Sequence, residues 1–163
     1  MKTTIKIIDP HYPAVWHTVP AAPGVVPQGY QLLSLAQWQA VRQQWPDGVP
    51  VGVQIPNDSP IESLAEDLHR IALVALAFPK WVDGRAYSQA RLLRSRYRFE
   101  GEVRATGEVL VDMLPLLERT GFDSVVLRAG QDRFAAERAL RFFPGHYQGD
   151  LKEARPVFVR EAA

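Results

Sequence analysis

Residues 78–97, FPKWVDGRAYSQARLLRSRY, bring together side chains that could bind an anion and move a proton. Four of these residues lie within eight positions, directly after an apolar run: Lys80, Asp83, Arg85 and Tyr87. Arginine offers a planar set of donors that suits carboxylate, phosphate or sulfate, and lysine adds a second positive charge. The residue types and their spacing therefore predict an oxyanion or nucleotide-phosphate site in which Arg85 and Lys80 hold the anion.

Further candidates follow other predicted strands. Asn57 comes after VPVGVQIP, Glu108 after EVRAT and Arg128 after DSVVLR. Parallel strands share one edge at their carboxyl ends, where ligands bind beside helix N-termini. Tyr87 or Glu108 would then be the proton donor or base. The full set of anion- or ligand-binding candidates is Lys80, Asp83, Arg85, Tyr87, Asn57, Glu108 and Arg128.

The charged residues Asp83 and Arg85 could have either of two roles. In a ligand site, Asp83 would orient Arg85 toward the anion. In a purely structural arrangement, Asp83 would cap the following helix and Arg85 would pair with Asp58 or Glu108, because ion-pair networks also concentrate charge. The sequence leaves both arrangements open, and it leaves open whether the protein is an enzyme.

A second cluster of arginines follows the loop. Arg91, Arg94 and Arg98 share a helix face with Tyr87, beside the inward stripe of that helix. Such a face is usually solvated, with its aliphatic stems lying on apolar surface. An arginine-rich helix face is also typical of a docking surface for an acidic partner, so these three arginines are the partner-surface candidates.

Composition excludes several classes of site. The chain has no cysteine, which removes thiolate zinc sites, iron–sulfur clusters and thiol nucleophiles. Its four histidines are scattered, so we expect no metal site. Neither a G-x-G-x-x-G fingerprint nor a P-loop is present, and the sequence identifies no cofactor. The net charge of +1 argues against nucleic acid as a partner.

The apolar runs are too short for a signal peptide or a membrane span. The longest of them, IALVALAF, has eight residues, whereas a spanning helix needs about 20. The sequence therefore predicts no contact with a membrane and a cytoplasmic location.

Strand-like and helical segments alternate along most of the chain, which is typical of βαβ units with a parallel sheet. About five such units fit. They predict an α/β fold, either a flavodoxin-like three-layer sandwich or a partial β/α barrel. We expect residues 1–30 to be an irregular N-terminal arm packed on the body, 31–148 to be one domain and 149–163 to be a C-terminal tail.

Local signals refine this scheme. Ser34 is expected to cap a helix, and Ser59, Pro60 and Glu62 form a capping box that predicts another helix over NDSPIESLAEDLHRI. LVALAF is apolar on both faces, as in a buried parallel strand. Pro115 falls inside a predicted helix, which should kink or restart there.

The strings FPKWVDGRAYSQARLLR, GEVRATGEVLVD and GFDSVVLR resemble a bacterial family of unknown function. Members of that family are described as oxidoreductases involved in sulfite reduction, and their genes commonly accompany those for assimilatory sulfite reductase. The resemblance spans residues 49–148. It departs at Met113, where members often have glutamine, and at Pro115.

The resemblance implies a place in sulfur metabolism but no catalytic residue, because none is assigned in the family. Two functions follow as expectations. The first is an accessory or binding protein of assimilatory sulfite reduction, acting with sulfite reductase through the Arg91 and Arg94 face or through the loop edge. The second is a small-molecule enzyme or oxidoreductase with an oxyanion or nucleotide site at the carboxyl ends of the strands. A third hypothesis is that the motif FPKWVDGRAYSQARLLR serves only to stabilise the fold.

Overall fold

The computed structural model describes residues 4–8, 15–21, 24–142, 147–151 and 153–160. These residues form an α/β fold built on a curled, all-parallel, seven-stranded sheet. The strands are β1 Lys6–Ile8, β2 His17–Thr18, β3 Gln31–Ser34, β4 Val51–Ile55, β5 Ile71–Phe78, β6 Glu102–Gly107 and β7 Ser124–Val126. The helices are α1 Leu35–Val41, α2 Arg85–Ser95, α3 Leu114–Arg119, α4 Arg133–Phe142 and α5 Val157–Arg160.

The strand order is β1-β7-β6-β5-β4-β3-β2. Each strand from β2 to β7 lies beside its successor in sequence, and right-handed crossovers then bring the connecting helices to one face of the sheet. This is the arrangement of a half-barrel, so the partial β/α barrel alternative is confirmed. The flavodoxin-like sandwich is wrong, because that fold reverses its strand order and covers both faces with helices.

The predicted count of five βα units is also wrong. The two additional strands, β1 and β2, have only three and two residues, too few to show an apolar period. They lie within residues 1–30, where we expected only an irregular arm. Parallel pairing with β7 and β3, rather than their own sequence pattern, gives them strand conformation.

The main core lies between the sheet and the helices. It is lined by Val53 and Ile55 of β4, Leu76 and Phe78 of β5, and Leu93 of α2, all of which are fully buried. On the opposite face, which we call the inner face of the half-barrel, Leu32, Leu73 and Ala75 form a smaller cluster covered by Trp16. Strand β5 is therefore buried on both faces, as its sequence predicts.

Several local predictions hold. Ser34 Oγ accepts a hydrogen bond from the Gln37 backbone amide at 3.2 Å, and the Ser34 backbone amide donates to Gln37 Oε1 at 2.9 Å, which completes a capping box on α1. At Pro115 a short 3₁₀ turn ends and α3 begins, with the proline in its first turn. The helix restarts there, because proline is compatible with a first turn but not with a helix interior.

The helix predicted over residues 57–71 is wrong. Only a 3₁₀ helix, Ile61–Leu64, forms there, and tight turns follow it. The Asp67 carboxylate accepts hydrogen bonds from Trp38 Nε1 at 3.0 Å and from Arg42 Nη1 at 3.1 Å. This buried anchor fixes the segment against α1 in i→i+3 turns, and the apolar spacing gave no sign of it.

Arg94 on α2 joins three parts of the fold. Its guanidinium donates to the carbonyl oxygens of Gly121 at 3.0 Å and Gly101 at 2.9 Å, and also to Phe99 O and the Asp123 carboxylate. The side chain is largely buried, and its guanidinium lies over the Phe99 ring. Arg94 therefore holds the end of α2 to the starts of β6 and β7.

None of the described helices has the length and apolar character needed to cross a membrane.

We predict that Arg94→Lys lowers the free energy of unfolding by about 2–3 kcal/mol, because an ammonium cannot reach all of these acceptors and leaves buried carbonyls unpaired. Urea denaturation of the two proteins would measure the loss. The matched control is Arg91→Lys, at an exposed position of the same helix, which should change stability by less than about 0.5 kcal/mol. Equal midpoints for the two variants would contradict a structural role for Arg94.

Candidate functional site

The ligand candidates lie along one edge of the half-barrel. Asn57 follows β4, Lys80 and Asp83 follow β5, Glu108 follows β6 and Arg128 comes shortly after β7. These four strands are consecutive neighbours in the sheet, so their loops line up at its carboxyl edge. We call this set of loops the carboxyl edge. The first turn of α2 adds Arg85 and Tyr87 to it.

Asp83 and Arg85 form a bidentate ion pair at the centre of this edge. Arg85 Nε donates to Asp83 Oδ1 at 3.0 Å and Nη2 donates to Oδ2 at 2.7 Å. The Arg85 backbone amide also approaches Oδ1, at 3.3 Å. Arg85 thus pairs with neither Asp58 nor Glu108, the two partners that the structural alternative proposed. The aspartate fixes the plane of the guanidinium.

The ion pair has clear electrostatic consequences. Hydrogen bonds from the Arg85 guanidinium hold the pKa of the Asp83 carboxyl far below its ordinary range, and the nearby Asn57 amide adds to this. Asp83 in turn raises the pKa of Arg85. Both groups are therefore charged at neutral pH, so Asp83 is not a proton acceptor.

Tyr87 lies beneath the loop rather than open to solvent. Its ring makes edge contacts with Phe78 and Phe122, at centroid distances of 5.2 and 6.3 Å. Burial raises the pKa of Tyr87, which keeps the phenol protonated at neutral pH. Tyr87 could donate a proton or a hydrogen bond, but its main contact is the aromatic cluster that supports the start of α2.

Glu108 and Arg128 pair with each other at 3.0 Å, and both side chains are exposed. The approach of their loops depends on Gly107, which has φ of +92°. A Cβ at this position would lie 2.5 Å from the Phe78 carbonyl oxygen. Only glycine combines this conformation with such close packing, and the Glu108 amide then donates to the same carbonyl at 2.8 Å.

Gln89 is a positioning residue that our residue-level reasoning missed. It is buried, and its Nε2 donates to the carbonyls of Pro56 at 2.9 Å and Ser59 at 2.8 Å. These bonds join α2 to the loop that carries Asn57. A signal was present in the sequence: Gln89 is a polar residue on the inward stripe of α2, beside the buried Ala86 and Ala90.

Asn57 is only 7% exposed, and its Nδ2 has no hydrogen-bond partner among the described residues. Its amide nevertheless lies close enough to Asp83 to stabilise that carboxylate. An unpaired buried donor is costly, so it marks a place where a water or ligand atom would be favourable. Asn57 therefore adds a buried amide donor beside Asp83 to the carboxyl edge.

The loop between β5 and α2 also exposes apolar surface, which the sequence did not lead us to expect. Trp81 is 57% exposed and Val82 is 64% exposed. Lys80 beside them is exposed and has no ionic partner in the part of the chain that the structure describes. We call residues 80–85 the β5–α2 loop.

The arginine face of α2 is smaller than expected. Arg91 and Arg98 are exposed, as a surface role requires. Arg94 points into the fold and donates to backbone carbonyls, so it is not available to a partner. The spacing of these arginines placed them on one face but could not separate the solvated ones from the buried one.

No three histidine, aspartate or glutamate side chains come together as metal ligands within the described residues. Two of the four histidines of the sequence, His11 and His146, lie outside those residues.

A comparison with protein-family models gives one match. Residues 52–158 match the family whose description is "Bacterial protein of unknown function (DUF934)". The chain belongs to this family. All seven ligand candidates lie in the DUF934 region, together with β4 to β7, whereas β1 to β3 and α1 precede it. No curated protein matches the chain.

The ion pair predicts a measurable change in titration. Replacing Arg85 with alanine should raise the pKa of Asp83 toward its ordinary value of about 3.9, because the main stabilising partner is lost. In the wild type the folded pKa lies below the unfolded one. The ionised carboxylate thus stabilises the fold above about pH 4, and this stabilisation is lost as the pH falls through the folded pKa.

Carboxyl ¹³C NMR would follow the titration of Asp83 in both proteins. Arg128→Ala is the matched control, since that arginine pairs with Glu108 instead. An Asp83 titration that is the same in wild type and Arg85→Ala would show that the pair does not form in solution.

Proposed function

We propose that this protein is an accessory or binding protein of assimilatory sulfite reduction that acts with sulfite reductase through the β5–α2 loop. The observation that carries the proposal is the exposed pair Trp81 and Val82, next to the unpaired Lys80. Tryptophan is the residue type most enriched among the side chains that dominate binding energy at protein interfaces. Leaving so much apolar surface in water is costly unless a partner covers it.

The contacts around this loop support a docking role. The Asp83–Arg85 pair fixes its end, and the Phe78–Tyr87 contact supports the start of α2 from below. Gln89 ties α2 to the neighbouring loop. A loop that is already ordered loses little conformational entropy on binding, so more of the contact energy appears as affinity.

The link to sulfite reduction rests on the family resemblance. The string FPKWVDGRAYSQARLLR, on which that resemblance depends, includes the whole loop. In this role the protein would belong to cytoplasmic sulfur metabolism. Arg91 and Arg98, exposed on and just beyond α2, would extend the contact surface toward acidic groups of the partner.

This role predicts a specific loss of affinity. The purified protein should bind sulfite reductase from the same bacterium. Trp81→Ala should raise the dissociation constant about thirtyfold or more, which is the effect of losing a dominant interface residue. Isothermal titration calorimetry would measure both constants. Phe158→Ala is the control, because Phe158 is also 57% exposed but lies in α5. Equal affinities for wild type and Trp81→Ala would reject the loop as the contact.

A second candidate function is a small-molecule enzyme or oxidoreductase with an oxyanion or nucleotide site at the carboxyl edge. The specific observation in its favour is the buried Asn57 amide beside the Asp83–Arg85 pair at the start of α2, with the exposed Lys80 in the same loop as that pair. A helix N-terminus adds favourable potential for an anion. In this case Arg85 would contribute through the outer side of its guanidinium, since its inner side faces Asp83.

Thermal unfolding with sulfite, sulfate, adenylyl sulfate, flavin mononucleotide and the nicotinamide dinucleotides would test this candidate. A ligand at a hundredfold excess over its dissociation constant should stabilise the fold by about 2.7 kcal/mol. Lys80→Ala should lose the stabilisation, and Arg91→Ala should keep it. If none of these compounds raises the melting temperature of the wild type, this second function is rejected and the docking role is unaffected.

A further inference from the structure

The inner face of the half-barrel carries a row of registered side chains, most of them polar. Parallel strands place registered partners on the same face of a sheet, so the register identifies which side chains share a level. The register aligns one residue from each of six neighbouring strands, from β1 to β3 across the sheet: Lys6, Ser124, Arg104, Ala75, Gln54 and Ser34. The connecting helices pack on the other face, so this row faces the interior of the curl.

Arg104 is the central charge of this row and is only 7% exposed. Its Nε and Nη2 donate to Glu102 Oε1 at 3.0 and 2.7 Å, and Nε also contacts Ser124 Oγ at 3.2 Å. The Ser124 hydroxyl donates to Glu102 as well. These bonds fix the plane of the guanidinium.

The remaining nitrogen, Arg104 Nη1, has no hydrogen-bond partner among the described residues, and it keeps some access to solvent. A guanidinium uses all of its N–H groups where it can. An oriented, largely buried arginine with one nitrogen left open is therefore a preformed donor for an incoming acceptor.

A second charge lies near Nη1. Ala75 beside Arg104 is small, whereas the space over Gly52 in β4 is filled by Leu32, Leu73 and Trp16. Lys6 lies in the same row two strands away, roughly 10 Å from Arg104 between backbones. Its side chain is exposed and without an ionic partner in the described residues, so its flexible stem can reach over Ser124.

We propose that the inner face binds a small oxyanion or carboxylate between Arg104 Nη1 and the Lys6 ammonium. The carboxylate of Glu102 compensates the charge of Arg104, so Lys6 leaves the row with a net positive charge that an anion neutralises. The Ser124 hydroxyl is already used between Arg104 and Glu102, and Gln54, beyond Ala75, is the other polar side chain of the row near Arg104. Lys6 begins β1 and Arg104 is the third residue of β6, whereas the β5–α2 loop lies at the carboxyl edge, so the two sites are independent.

Nuclear magnetic resonance of the arginine Nε–Hε groups tests this site directly. The probes are sodium sulfate and sodium acetate, each titrated at an ionic strength held constant with sodium chloride. The Arg104 Hε signal, assigned through its loss in Arg104→Lys, should shift saturably with at least one probe. A tighter response to sulfate indicates a tetrahedral oxyanion as the ligand, and a tighter response to acetate indicates a carboxylate.

Three variants decide whether the response belongs to this site. Lys6→Gln, at an exposed position that leaves folding intact, should weaken the binding of the effective probe about threefold to fivefold. Arg91→Gln should leave the affinity unchanged. Lys80→Ala should also leave it unchanged, which separates this site from one at the carboxyl edge. A linear, non-saturating shift with both probes, or equal affinity in Lys6→Gln and wild type, would overturn the proposal.

Discussion

Sequential pairing of parallel strands is the constraint on which the rest of this structure depends. Because each strand from β2 to β7 lies beside its successor, every crossover returns on the same face, and every loop that follows a strand opens at the same edge. In the described residues, the helices that connect the strands therefore cover one face of the sheet, and one edge collects the candidate side chains. Strand β5, paired on both sides and buried on both faces, is the centre of that arrangement.

Arginine is used in this protein mainly as a connector. Fifteen of the nineteen basic residues are arginine, and several of them donate to more than one element at once. Arg94 joins α2 to the starts of two strands, Arg70 donates to the carbonyls of Arg42 and Trp45, and Arg104 holds Glu102 and Ser124 together. Lysine, with a single ammonium, could not satisfy such divergent acceptors. The proposed docking surface depends instead on Trp81, Val82 and Lys80, which lie outside these networks.

The sequence predicted what depends on local pattern and missed what depends on distant partners. The buried character of β5, the Ser34 cap and the restart at Pro115 follow from periodicity and backbone chemistry, and all three are present. The turns around Asp67 depend on contacts with α1. The exposure of Trp81 depends on the position of the β5–α2 loop in the folded protein. Neither is encoded in spacing. The carboxyl-edge location of the ligand candidates was predictable because it follows from parallel topology alone.

We propose that the β5–α2 loop is a preformed surface for a protein partner. Hydrogen–deuterium exchange of the protein, alone and mixed with sulfite reductase from the same bacterium, tests it most directly. We expect the amides of residues 80–88 to exchange more slowly in the mixture than in the protein alone, and the amides of α5 to exchange at the same rate in both samples. Protection that is the same in both samples, or that appears only away from the carboxyl edge, would contradict the claim.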